Sequence, residues 1–155
     1  MRAVRAYFRK AKGMKFIHVK RRNLMRQFVS MTIMMRTHIH ALEASWAAPS
    51  LERKKEPLVL MPEECERFFD SQAWLREEYD LFYRDLDHRE VYYEDVLERK
   101  EETLARIQEF IGLSPEPLQS TLIRLNPEPL SALLANYGEL KRRFDGTRWS
   151  RFFDE

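Results

Sequence analysis

The stretch Lys15-Phe-Ile-His-Val19, Lys20-Arg-Arg-Asn23, Leu24-Met-Arg-Gln-Phe-Val-Ser30 decides how the chain is read. Its first five residues are a compact apolar run, short and partly β-branched, which is the pattern of a buried strand. The next four make a basic turn. From Leu24 to about Met35 apolar positions recur at helical spacing. Asn23 is placed to cap that helix, its side-chain oxygen accepting a first-turn backbone N–H. Strand, basic turn, helix is the arrangement with which α/β proteins hold anions at the carboxyl end of a sheet. The methionines of the helix (Met25, Met31, Met34, Met35) read as core filler.

Upstream, Met1–Lys12 reads as a basic amphipathic helix. Val4, Tyr7, Phe8 and Ala11 form an apolar stripe, Arg2, Arg5, Arg9 and Lys12 a basic one, and Gly13 ends the helix. Downstream, residues 46–57 read as a loop punctuated by Pro49 and Pro57, and Leu58-Val-Leu60 as a brief strand. Pro62 opens a helix expected to reach about Asp87. Arg89-Glu-Val-Tyr-Tyr93 is a second strand, and Leu97 to Ile111 a helix ended by Gly112. Short helices are expected from Ser114 to Phe153, with Pro-Glu-Pro at 115–117 and 127–129 marking starts and turns. Strands alternating with helices imply an α/β domain with a mainly parallel sheet.

Composition bounds what such a domain can do. A chain of 155 residues fits one domain, large enough for a core without disulfides. It contains no run of eighteen apolar residues, so no transmembrane helix is expected. The single Cys65 excludes a disulfide framework and cysteine-based metal sites; on its helix it reads as buried and inert. The net charge of +2 hides an asymmetry. Residues 1–42 carry 11 Lys or Arg and no acid, while residues 43–155 carry 16 basic and 25 acidic residues. An acid-free segment attracts phosphate-bearing partners. With overall charge so near zero, a small anionic ligand fits better than nucleic acid.

Arg22 and Ser30 are the pair with phosphate chemistry. An arginine at a strand-to-helix turn offers a bidentate fork and a serine two turns into the helix a neutral donor, beside the positive end of the helix dipole. His38 and His40, two apart on a helix, point in different directions and do not make a metal site, and His18 reads as a satisfied core or sheet-end histidine. Glu94 and Asp95 read as capping acids at a helix N-terminus.

In this context Phe16–Ser30 resembles the nucleotide-binding element of sulfotransferases that use 3′-phosphoadenosine 5′-phosphosulfate. In that family a strand runs into Arg-Asn, and a serine eight residues after the arginine shares the donor's 3′-phosphate; Arg22 and Ser30 match both positions. The family's residues after Arg-Asn are replaced by Leu24 and Arg26, which points to a bacterial carbohydrate-type branch. Val91-Tyr-Tyr-Glu-Asp-Val96 followed by Thr103–Gly112 is similar to the family's Tyr-Glu-Asp-Leu strand end and helix, with Tyr93 at the position that packs near the adenine. Leu125–Leu140 and Gly146–Trp149 are similar to the C-terminal part of bacterial sulfotransferases resembling the trehalose and nodulation-factor enzymes. There Lys141, Arg142, Arg143 and Arg148 are candidates for a basic loop over the 3′-phosphate, Arg143 foremost.

The resemblance implies a P-loop-NTPase-like three-layer α/β/α sulfotransferase fold, helix-rich and incomplete at its N-terminus. Residues 1–155 would form one sulfotransferase-like domain, its C-terminal portion. The glycine-rich loop that wraps the 5′-phosphosulfate and the catalytic base are not found among these residues. The implied donor is 3′-phosphoadenosine 5′-phosphosulfate without a metal, the acceptor a carbohydrate or small-molecule hydroxyl contacted by a loop such as 36–57. The expected compartment is the cytoplasm. The alternative is a non-catalytic module that binds nucleic acid or an anionic membrane through the basic N-terminal face.

Overall fold

A computed structural model describes residues 2–11, 13–37, 56–120 and 124–154. Elements occur in the order α1 (Arg2–Lys10), β1 (Phe16–Lys20), α2 (Leu24–Thr37), α3 (Pro62–Tyr83), β2 (His88–Tyr92), α4 (Tyr93–Glu98), α5 (Lys100–Ile111), α6 (Leu130–Leu133), α7 (Tyr137–Phe144) and a closing 3₁₀ turn, Ser150–Phe153. This is a helix-rich α/β chain with a two-stranded parallel sheet among the described residues. None of the described helices is long and apolar enough to cross a membrane. The chain forms two compact units. Unit 1 is residues 1–22 with 73–119, and unit 2 is residues 23–72 with 120–155, the division falling within α3.

Unit 1 is built on the sheet. β1 and β2 pair in parallel with Phe16 opposite His88, His18 opposite Glu90 and Lys20 opposite Tyr92. The apolar run was expected to be a buried strand, yet Ile17 and Val19 are its exposed positions, Val19 by 60%. The inward side chains are Phe16, His18 and Lys20. They face aromatic and acidic groups: Phe16 meets Phe8 of α1 and Tyr83 of α3, and His18 lies against Tyr79 and Tyr83. Lys20 is tied to Asp80, at 2.8 Å, and to Glu90. Burial pulls the Lys20 pKa down, but hydrogen bonds to those two carboxylates outweigh it and hold it above its ordinary value.

Several boundaries move for physical reasons. α3 stops at Tyr83, not Asp87, because Leu86 N–H turns back to the Tyr83 carbonyl and Phe16 N–H takes the Asp87 carbonyl into the start of the sheet. β2 ends at Tyr92, so Tyr93 opens a helix and does not end a strand. The expected helix 97–111 is two helices. Arg99 leaves helical geometry (φ −133°, ψ 51°) between them. Gly112, at φ +88°, closes α5 in the left-handed conformation that suits glycine.

Unit 2 holds an apolar core. Leu24, Met25, Val29 and Ile33 line one face of α2, and Cys65 and Phe69 of α3, Leu130, Leu133 and Leu134, Leu140 and Phe144 of α7, and Trp149, Phe152 and Phe153 complete it. Phe69 sits at its centre, with ring centroids 5.2–5.6 Å from Phe152, Phe144 and Trp149. Met25 is core as expected, whereas Met35, ten residues on and so on another face, is 64% exposed. Burial, with Glu64 adding to it, pushes the Cys65 thiol up to about 12, so the buried cysteine stays protonated.

The brief strand at Leu58–Leu60 is a single parallel bridge, Leu58 to Leu134. Leu58 N–H donates to the Leu133 carbonyl and Ala135 N–H to the Leu58 carbonyl, both at 2.8 Å. The Asn136 side chain then takes the place of the next backbone unit. It donates to the Leu60 carbonyl at 2.9 Å and accepts from Leu60 N–H at 3.3 Å, which ends the ladder after one residue pair.

Candidate nucleotide-binding site

Because β1 and β2 are parallel and in register, their carboxyl ends coincide in unit 1. At those ends stand Arg21 and Arg22, just past β1, and Tyr92 and Tyr93, the last residue of β2 and the one after it, and the two pairs interleave. The Arg21 guanidinium carbon lies 3.8 Å from the centre of the Tyr93 ring, and that of Arg22 4.2 Å from the Tyr92 ring. Cations stacked on aromatic faces at a sheet end suit a ligand that carries both phosphate and a base.

Arg22 is held at three points. Its Nη1 and Nη2 donate to the two oxygens of Asp95 at 2.9 and 2.8 Å, a bidentate pair. Its backbone N–H is shared by both oxygens of Glu94, each at 3.1 Å. Its guanidinium rests on Tyr92. Asp95 accepts a second guanidinium, Arg99 Nη2 at 2.6 Å. Hydrogen bonds from Arg22 and then Arg99 bring the Asp95 carboxyl down to about 2, and the same bond from Asp95 raises Arg22 above its ordinary value. Glu94 and Asp95 stand in the first turn of α4, where capping acids were expected, but their described hydrogen bonds go to Arg22 and Arg99. The acid pair follows one strand and the arginine the other, more than seventy residues apart. Only the parallel pairing brings them together, so sequence reasoning missed this clamp.

Ser30 belongs to unit 2, two turns past the α2 cap, and is half-buried. Asn126 Nδ2 donates to its Oγ at 3.3 Å, which leaves the serine hydroxyl hydrogen to donate elsewhere. Asn126 is itself buried, and its Oδ1 has no hydrogen-bond partner among the described residues. Arg26 Nη1 reaches the Asn126 carbonyl at 3.4 Å. The expected cap is present: Arg26 N–H donates to Asn23 Oδ1 at 3.0 Å. Asn23 Nδ2 in turn donates to the Phe152 carbonyl at 3.0 Å.

Arg143 is exposed near the end of α7. Of its basic neighbours, Lys141 faces Asp154 at 3.6 Å and Arg148 pairs with Asp70 while covering the Trp149 ring. The structure therefore gathers Arg22 and Tyr93 at one sheet end of unit 1, while Ser30 and Arg143 stand on separate helices of unit 2. His38, His40 and most of the loop 46–57 lie outside the described residues. His18, expected to be satisfied, has a buried Nδ1 without a hydrogen-bond partner among the described residues, and burial, with Lys20 next, lowers its pKa. The described residues form no cluster of three or more His, Cys, Asp or Glu fit for a metal ion. In comparisons with known proteins the chain matches no family model, no curated protein and no solved structure.

Proposed function

We propose that this chain binds the adenosine 3′-phosphate end of 3′-phosphoadenosine 5′-phosphosulfate and is part of a sulfotransferase. The observation that carries the reading is the parallel sheet end itself. Register places Lys20 beside Tyr92, so the arginine that follows one strand and the tyrosine that follows the other emerge together. Ligands of open α/β sheets gather at strand carboxyl ends, and a guanidinium beside an aromatic ring answers a phosphate beside a purine. Arg22 would meet the 3′-phosphate and Tyr93 the adenine, both in unit 1; Ser30 and Arg143 are separate phosphate-binding candidates within unit 2.

In the reaction this implies, an acceptor hydroxyl oxygen bonds to the sulfur as the bond from sulfur to the bridging phosphate oxygen breaks. Adenosine 3′,5′-bisphosphate leaves, and the hydroxyl proton passes to a base. The acceptor class is a carbohydrate or small-molecule alcohol. The residues named here grip the nucleotide and are assigned no part in the proton transfer.

Calorimetric titration with adenosine 3′,5′-bisphosphate beside 5′-AMP tests the reading. The bisphosphate is expected to bind and 5′-AMP to bind more weakly. Arg22→Ala is expected to weaken the bisphosphate by about tenfold to a hundredfold, the size of lost hydrogen bonds to a charged group. Binding that ignores the 3′-phosphate and collapses with salt would replace this reading with a sequence-independent polyanion site on the basic N-terminal segment.

A further inference from the structure

We infer that Asp95 is the positioning residue that presents Arg22 to the nucleotide 3′-phosphate, an inference that rests on the binding role proposed above for Arg22. A guanidinium has five N–H donors in one plane. Asp95 engages one hydrogen on each of Nη1 and Nη2, at 2.9 and 2.8 Å, which leaves Nε–H and the outer Nη hydrogens for an incoming anion. Exposure has the matching sense: the Arg22 side chain is 48% exposed and Asp95 only 18%, so the carboxylate lies beneath and the guanidinium outside. Glu94 fixes the backbone of the same residue and Tyr92 supports the plane of its head group. An arginine side chain free in solution carries about 2 kcal/mol of rotamer entropy. Three anchors remove that freedom before the ligand arrives, so less is lost on binding.

Charge decides the sign of the effect. A lone carboxylate beside a phosphate would repel it and compete for the arginine. Asp95 is not alone, because Arg99 donates to it at 2.6 Å. Counting every charge described at this sheet end, Arg21, Arg22 and Arg99 against Glu94 and Asp95, one net positive charge is left, so the anchor aims a cation without cancelling the local field. Arg99 stands in the break between α4 and α5, where its backbone leaves helical geometry.

The test is titration of wild type, Asp95→Asn, Asp95→Glu, Arg22→Ala and the Arg22→Ala/Asp95→Asn pair with adenosine 3′,5′-bisphosphate and with 5′-AMP. Asp95→Asn is expected to weaken the bisphosphate about two- to tenfold, the range for freeing one rotamer-rich side chain, and to leave 5′-AMP unchanged. Asp95→Glu is expected to recover part of that loss, and Asp95→Asn to cost nothing further once Arg22 is alanine. Bisphosphate binding as tight as wild type or tighter in Asp95→Asn would overturn the inference and make Asp95 a competitor. Equal losses for both nucleotides would overturn it as a general structural effect. Those outcomes leave the binding role of Arg22 standing. A wild-type chain that does not distinguish the two nucleotides would overturn both.

Discussion

Asp95 accepts hydrogen bonds from two guanidiniums at once, and that gives the chain an acid-sensitive contact at its surface. Its folded-state pKa, about 2, lies below the unfolded carboxylate value, about 3.9. A depressed acid contributes stability that is fully present above the unfolded pKa and is lost as pH falls through the folded one. Urea midpoints are therefore expected to fall in wild type as pH drops from about 4 towards 2. The Asp95→Asn variant should show a shallower fall over the same window, and identical slopes would argue against the bidentate pair. At the same scale, Asn126 was not legible in the sequence as a functional residue. It lies just before the Pro-Glu-Pro at 127–129, and what distinguishes it is burial and the 3.3 Å contact with Ser30, neither of which spacing reveals.

At the scale of elements, Asn23 does two jobs. Its oxygen caps α2 and its amide nitrogen ties the start of that helix to the Phe152 carbonyl in the closing 3₁₀ turn. Removing both is expected to cost about 2 kcal/mol, one for the cap and one for the carbonyl left without this donor. Asn23→Ser keeps a capping oxygen, so it should cost about half as much as Asn23→Ala in denaturant unfolding. Equal costs would mean that the cap contributes nothing, and an Asn23→Ser variant as stable as wild type would mean that the tie to Phe152 contributes nothing. The cap was readable because it depends on residues three apart. The tie was not, because it spans 129 positions. Gly112, at positive φ, ended its helix as expected, glycine being the residue for which that conformation costs least, whereas α1, expected to run to Lys12 before Gly13, has its last helical residue at Lys10. The break at Arg99 carried no such mark, since the flanking Glu98 and Lys100 are ordinary helix formers.

At the scale of the whole molecule, the two units differ in how they are held together. Among the described residues every fully buried apolar side chain except Val91 belongs to unit 2. Unit 1 relies on half-buried rings (Phe16, His18, Phe82 and Tyr83 among them) and on the ion cluster around Lys20. Regions with few fully buried apolar contacts open at lower free energy. Amide hydrogen exchange is expected to be faster in β1 and β2 than in the buried turns of α2 and α7. Adenosine 3′,5′-bisphosphate should slow exchange at the sheet end by mass action. Protection in β1 matching that of α2 in the free chain would contradict the first expectation.

By itself the sequence determined what depends on neighbours a few residues apart. Short apolar, β-branched runs located β1 and β2 to within a residue and the 3.6-residue period located α2, short-range caps located the start of α2 and the end of α5, and strands separated by helices implied the parallel direction of the sheet. Tertiary structure alone decided which side of β1 faces inward. Ile17 and Val19 are the more apolar residues, but the inward positions are defined by Tyr79, Asp80 and Tyr83 of a helix sixty residues away, which suit His18 and Lys20. It also decided the partner of Arg22. A guanidinium at a basic turn reads as free for an anion, and only the Lys20–Tyr92 register brings Glu94 and Asp95 to its backbone and its side chain. Local propensity acts over one turn of chain, whereas a salt bridge forms wherever folding places opposite charges within about 3 Å of each other.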